Sequence, residues 1–442
     1  MDDALLKNYI EQAAKNLLLD TNGDSRTIAT RHFQQIQTDG QLTPEERQKV
    51  YCGMNKIITE HECNLAVKND APGTLMRQDN GANMFAAVYL EHYAKDYFDA
   101  VTNKGIQAGK LTKPGQGDEL VPDEQATSTA ILKAYTSELP NLSREASQFL
   151  KVGIDTIKEQ MPDVSDQATK MVLVNSVVLR GTLGQEITQN LVQASREQNS
   201  ELVSQYRTAL NGYNNVQRFA NSVANGKNGE GTELSQNKKA VKEFNETLGN
   251  IADGNTPRFK KLKMPNVDSG KVLQEVDAVR PFQARIKELE KQKNDLENRP
   301  KVGDKVKAFF NHGRKGLDGE IAKVDKRIAA TQVAKDDVAQ GISTKERREE
   351  IQGMKDDIGK LKKDINKLAS NVTANSLEKG TKNPSVSDAQ AQKSMDKLKD
   401  KVPERKNLKE TVKIQEKSLK VREMVELQSQ KQAKGNHNTV KL

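Results

Sequence analysis

Apolar positions along this chain recur at spacings of three and four, the period of a helix, and no stretch of note alternates at two as a strand would. Residues 3–19 carry Leu5, Leu6, Tyr9, Ile10, Ala13, Leu17 and Leu18 near one stripe, which predicts an amphipathic helix stopped by Asp20–Asp24. Thr43-Pro44-Glu45-Glu46 predicts the next start, with Thr43 as cap and Pro44 in the first helical position. That helix runs through Val50, Met54, Ile57 and Ile58 towards Cys63, and a further one covers Met84–Phe98. Lys110–Asp123, rich in Gly and Pro, reads as a loop. Helices follow through Ile131, Leu132 and Tyr135, and, capped by Ser143, through Phe149, Leu150, Ile154 and Ile157. After a break at Pro162, Met171–Leu179 is apolar nearly all round, which predicts a central buried helix. Arg180 ends it and must find acceptors there, because an unpaired charge is costly to bury.

From about residue 271 the pattern turns to heptads. Ile286, Leu289, Lys293 and Leu296 form one run, and Leu317, Ile321, Val324 and Ile328 a second. The third is Ile351, Met354, Ile358, Leu361, Ile365, Leu368 and Val372, seven seam positions without interruption. Gly341–Thr344 separates the second run from the third, so 271–372 predicts a helical hairpin or a coiled coil of several strands, open to self-association. Residues 373–403 read as a linker, and 404–442 as a charged helix with a disordered end from 431.

Composition sharpens the division. Residues 271–442 hold 40 Lys and Arg against 27 Asp and Glu, so the excess behind the net charge of +9 lies wholly in the tail. All eight Tyr precede residue 271. A globular all-α domain followed by a solvated helical tail is the reading. Cys52 and Cys63 are the only cysteines, too few for a disulfide framework, and they suit a reducing compartment. No signal peptide opens the chain, and no apolar run reaches the roughly 18 residues that span a bilayer. The five His form no metal-spaced cluster, and neither a Walker loop nor a dinucleotide fingerprint occurs. Asp20–Asp24 starts like a calcium loop, but Arg31 stands where its twelfth position needs Glu. The Lys-rich tail lacks aromatic residues for base stacking, which argues against nucleic acid and leaves contact with a membrane surface open.

One loop carries the functional signal. Thr74-Leu75-Met76-Arg77 follows Pro72-Gly73, precedes Ala82, and leads into the helix with Tyr89-Leu90 and Asp96-Tyr97-Phe98. This segment resembles the arginine-finger segment of Ras GTPase-activating domains, Met76 replacing the family's Phe and Gly81 its Leu. Val178-Leu179-Arg180 resembles the Phe-Leu-Arg that ends the family's central helix, with Pro162 in place of the preceding break. Val216-Gln217-Arg218-Phe219-Ala220-Asn221 resembles its Ile-Gln-x-Leu-Ala-Asn helix, and Phe244-Asn245-Glu246-Thr247-Leu248 its Leu-Asn-x-Phe-Ile. The chain departs from the family at Gly181–Glu186, where Phe-x-x-Pro-Ala-Ile is usual, and at Asn214, where a Lys often faces the GTPase.

The resemblance implies an all-α fold, RasGAP-like over residues 1–265 with its core motifs in 66–250, followed by the coiled-coil tail. It implies a GTPase-activating protein for a Ras-like small GTPase, not itself an enzyme. Arg77 would act as the finger, Arg180 would hold the finger loop, and Thr74, Leu75, Met76, Gln217 and Asn221 would meet the GTPase. No cofactor or metal of its own is expected; the substrate is the GTP–Mg of the partner. Two other readings stand beside it: a RasGAP-like scaffold that binds a small GTPase without accelerating it, and a structural coiled-coil protein. A cytoplasmic site is expected, and the composition and divergence suggest a bacterial protein delivered into a host cytosol.

Overall fold

The computed structural model describes residues 1–68, 75, 81–115, 119–179, 183–227, 229–298, 311–377 and 385–439. The chain divides into two compact units, Met1–Gln274 and Glu275–Leu442. The described residues are almost wholly helical, as the spacing of apolar positions requires.

In the first unit the helices are α1 (Asp3–Leu19), α2 (Ser25–Thr38), α3 (Pro44–Lys68), α4 (Gly81–Tyr93), α5 (Lys95–Ala108), α6 (Glu124–Ser137), α7 (Arg144–Gln160), α8 (Ser165–Leu173), α9 (Leu183–Arg196), α10 (Ser200–Ala224) and α11 (Lys238–Asp253). Their starts follow from side-chain caps. Asp2, Asp24, Asp123, Ser143, Asn199 and Asn237 each accept a bond from an amide of the first turn, supplying partners that a helix start otherwise lacks. At Thr43 the cap is reciprocal: the Glu46 amide donates to Oγ1 of Thr43 at 3.2 Å, and the Thr43 amide donates to the Glu46 carboxylate at 2.8 Å.

α3 packs against α1 and α7, α2 against α4, and α10 against α5, α6, α8 and α9. Under α4 lies an aromatic core. Tyr89 stacks on Phe149 with ring centres 4.0 Å apart, and Tyr51 and Phe33 stack at 5.2 Å. The Tyr89 hydroxyl is not wasted in that core; it donates to Oε1 of Gln48 at 2.7 Å. Close approach at α10 depends on two glycines. A Cβ on Gly109 would strike the Gln205 carbonyl, and one on Gly212 would strike Thr127.

The Gly- and Pro-rich stretch read as a loop holds a short antiparallel ribbon, β1 (Thr112–Pro114) and β2 (Leu120–Pro122), with Lys113 opposite Val121. Three-residue strands are too short to leave an alternating pattern in the sequence.

The second unit holds most of α12 (Ser269–Glu297), then α13 (Asn311–Ala339), α14 (Thr344–Leu377) and α15 (Asp388–Thr439). Of the seven seam residues of α14, Ile351 is buried and the other six are half-buried, while most positions between them are exposed. α15 covers the seam. It runs antiparallel to α14, since Asp364 meets Lys401, Lys355 meets Glu416 and Arg348 meets Glu423 at 2.5–2.8 Å. Such exposed pairs report the register more than they stabilise it. Further along, Val425 of α15 packs with Phe282 and Ala334, supported by Val338 and Val421.

The stretch read as a linker, 373–403, is therefore largely helical where described. α14 continues to Leu377, and Pro403 lies inside α15. The reason is local and then tertiary. Ser387 and Gln390 form a reciprocal cap that starts α15 ahead of the Pro, and Ala391, Ser394 and Val412 are buried. Packing of that stripe outweighs the loss of one backbone bond at Pro403. The helix likewise continues through most of 431–442, the stretch read as disordered.

No helix among the described residues is long and apolar enough to cross a membrane.

Candidate functional site

The candidate site is the segment between α3 and α4, residues 69–80, together with the end of the central helix. Both ends of the segment are firmly rooted. In α3, Glu62 is buried, and its carboxylate accepts from Nδ2 of Asn83, a fully buried residue in the first turn of α4, at 3.1 Å. α4 is then held by the aromatic core beneath it. Of the segment itself, Leu75 is described; it is 1% exposed. Its carbonyl accepts a bond from Nδ2 of Asn175 at 3.3 Å. An apolar side chain sunk into the domain and a backbone carbonyl held by a buried amide fix this point of the segment.

Asn175 belongs to the central helix. α8 passes at Val174 into a widened, π-type turn, Val174–Leu179, and Val174, Asn175, Ser176, Val177 and Val178 are all buried. π turns are rare and concentrate at functional sites. The last carbonyls of a helix have no donor within it. Here the Val178 carbonyl, two residues before Arg180, takes bonds from two tyrosines: Tyr213 of α10 at 3.3 Å and Tyr135 of α6 at 3.5 Å. Burial pushes both phenols up, Tyr135 well above its usual range, so they stay protonated and donate. Gln217 in turn donates from Nε2 to the Tyr213 hydroxyl at 2.8 Å. Gly184, in the first turn of α9, lies so close to the Tyr213 ring that a Cβ would overlap it.

Gln217 is thus half-buried and turned inwards, onto the chain Gln217–Tyr213–Val178. Asn221, one turn on, is also half-buried, and its carbonyl accepts from Nδ2 of Asn225 at 2.7 Å. Thr74, Met76, Arg77 and Arg180 lie outside the described residues. Among the described residues the structure brings Leu75 and Gln217 to the same helical turn, by way of Asn175 and Tyr213.

Asn175 is a polar residue inside an apolar run, and Tyr135 and Tyr213 read in sequence as ordinary helix positions, so none of the three carries a pattern that marks its bond. Two exposed residues were also missed. Val67, in the last turn of α3 beside the segment, is 61% exposed. Arg218 is exposed on α10, four residues after the exposed Asn214 and so on the same face. No group of three or more His, Cys, Asp or Glu among the described residues could hold a metal ion. Cys52 and Cys63 are buried, and burial raises both thiols above their ordinary range, Cys63 to about 12, which makes neither a nucleophile.

Asn175→Ala is expected to lower unfolding stability by about 1–3 kcal/mol, because a buried carbonyl loses its donor. It should also speed amide hydrogen exchange across residues 69–80. Exchange at the wild-type rate in that peptide would show that the bond does not hold the segment.

No family model matches this chain, and no curated protein matches it.

Proposed function

We propose that this protein is a GTPase activator that inserts Arg77 into the active site of a Ras-like small GTPase. The observation that carries the reading is the anchored Leu75: the arginine sits two residues beyond a point held by Asn175 of the central helix. A finger must be presented rigidly on a segment that can enter a partner's site, and a loop rooted at both ends and held in the middle meets that need. Hydrolysis of GTP needs charge stabilisation at the γ-phosphoryl oxygens more than it needs covalent help. A guanidinium suits this because it stays charged and forks to two oxygens. Support also comes from the order of the three motifs, Thr74–Arg77, Val178–Arg180 and Val216–Asn221: Leu75 and Val178 are bonded at the central helix, and Gln217 bonds to the Tyr213 that serves Val178. The exposed Arg218 offers the cation that Asn214 lacks, and the exposed Val67, at the end of α3, an apolar contact where the segment begins.

A second reading, a scaffold that binds a small GTPase without accelerating it, is favoured by the inward turn of Gln217 and by Asn214. Single-turnover GTP hydrolysis with a panel of small GTPases separates the two. Acceleration of any one supports activation; binding without acceleration supports the scaffold.

Arg180 would act through the finger segment rather than on nucleotide. Arg180→Ala should lower both the melting temperature and the activated hydrolysis rate. A plain helix-end cation would leave the rate intact and cost less than about 1 kcal/mol.

A further inference from the structure

α15 carries, besides the stripe that packs on α14, a second stripe with the same three-four spacing that faces solvent. In its middle stand Lys406, Lys409, Lys413, Lys417 and Lys420, all exposed. Exposed apolar side chains lie at both ends: Met395 and Val402 before the lysines, Met424 and Leu427 after them, each 43–52% exposed. At about 1.5 Å per residue the whole stripe is about 48 Å long.

The charge on this stripe is uncompensated. The neighbouring acids of α15 turn to other partners, Glu416 to Lys355, Glu423 to Arg348 and Glu426 to Arg422. Among the described residues no carboxylate pairs with the five lysines, although Glu410 stands at the edge of the stripe. A solvated face of a helical hairpin would be expected to mix its signs, as the exposed face of α14 does, where Lys345 meets Glu349 and Lys360 meets Asp357.

The geometry points to a docking face for an anionic lipid surface. Lysines in line neutralise headgroup charge, and apolar side chains at either end can enter the boundary between headgroups and acyl chains. A nucleic-acid ligand would have no use for those four apolar groups, and α15 has no aromatic residue on which a base could stack. A second copy of this chain would bring one row of lysines against another. This assignment stands apart from the GTPase reading and is tested without a GTPase.

The test is co-sedimentation of the full chain with vesicles of phosphatidylcholine, with and without phosphatidylserine. Binding is expected with phosphatidylserine only and should weaken as salt rises. Each lysine near an anionic surface contributes about fivefold to partitioning, so the triple variant K406Q/K413Q/K420Q should bind on the order of 100-fold more weakly. The variant K345Q/K360Q/K393Q removes the same charge elsewhere in the tail and should bind within about threefold of wild type. M424S/L427S should lose about tenfold through the apolar contribution alone. All these positions are exposed, so the fold is not put at risk. Four results overturn the assignment: no binding to phosphatidylserine vesicles; wild-type binding by K406Q/K413Q/K420Q; an equal loss in the two triple variants, which would reduce the effect to net charge; or tighter binding to duplex DNA or RNA than to vesicles at equal phosphate.

Discussion

Arg77→Ala should cut activated GTP hydrolysis by about 10³-fold or more and leave the melting temperature and GTPase binding little changed. For Ras and its activator, the standard example of an arginine supplied in trans, the gain is about 10³–10⁵, and the expectation here is taken from that case. The split between rate and binding follows from when the interaction forms. A group that acts on charge developing in the transition state adds to the rate far more than to ground-state affinity. Stability should survive because the described anchors of the segment, at Leu75 and at the Glu62–Asn83 root, are not touched by the substitution. Arg77→Lys should fail nearly as badly, since an ammonium cannot fork to two oxygens. The measurement is single-turnover hydrolysis with the GTPase that the panel identifies. A rate near wild type from Arg77→Ala would remove the catalytic reading and leave the scaffold.

Placing Asp at both Ile358 and Ile365 should open the hairpin of α14 and α15, at a cost of about 2 kcal/mol or more for each carboxylate set against an apolar stripe. Both positions are half-buried by a single covering helix, so little else can take up the change. Loss of helical signal in far-ultraviolet dichroism and rapid tryptic cutting within 344–430 are the expected results. Wild-type protease resistance in the double variant would show that the seam does not hold the pair. The same seam is the one a second copy would use. Sedimentation therefore belongs in the experiment: a wild-type monomer assigns the seam to the hairpin, and an oligomer dispersed by the two substitutions assigns it to association.

The helical class and many of the helix positions follow from spacing, whereas α2 and α9 do not stand out in the sequence, and the stretch 84–98 reads as one helix although α4 ends at Tyr93 and α5 starts at Lys95. Ile351 to Val372 were read as a seam and lie on the covered side of α14; Val174 to Val178 were read as buried and are. Thr43 and Pro44 open α3 as their chemistry requires. What escaped notice depends on tertiary partners. Pro403 marks a helix end by local rules, and only the neighbouring α14 explains why the helix runs through it. The β ribbon is shorter than any pattern. Resemblance names Gln217 as a GTPase contact by residue type alone, and its direction is set by a Tyr213 hydroxyl that itself serves the Val178 carbonyl. The widened turn at Val174–Leu179 leaves no trace in composition, since Val, Asn, Ser and Leu also build ordinary helices.

The bond from Asn175 to the Leu75 carbonyl also sets a leash. Two residues of fully extended chain span at most about 7 Å, so the Cα of Arg77 stays within about that distance of the Cα of Leu75 in every conformation. A twelve-residue connection between α3 and α4 would, unpinned, let its middle sweep a wide volume. Pinned at Leu75, it becomes two spans of six and five residues, and much of the closure entropy is already spent before any partner arrives. On the proposed reading, a receiving site would meet a segment whose midpoint is already fixed to the central helix. The corollary is geometric: if Arg77 is the finger, the site it enters must lie within about 7 Å of backbone, plus one side chain, of the point where Asn175 holds Leu75.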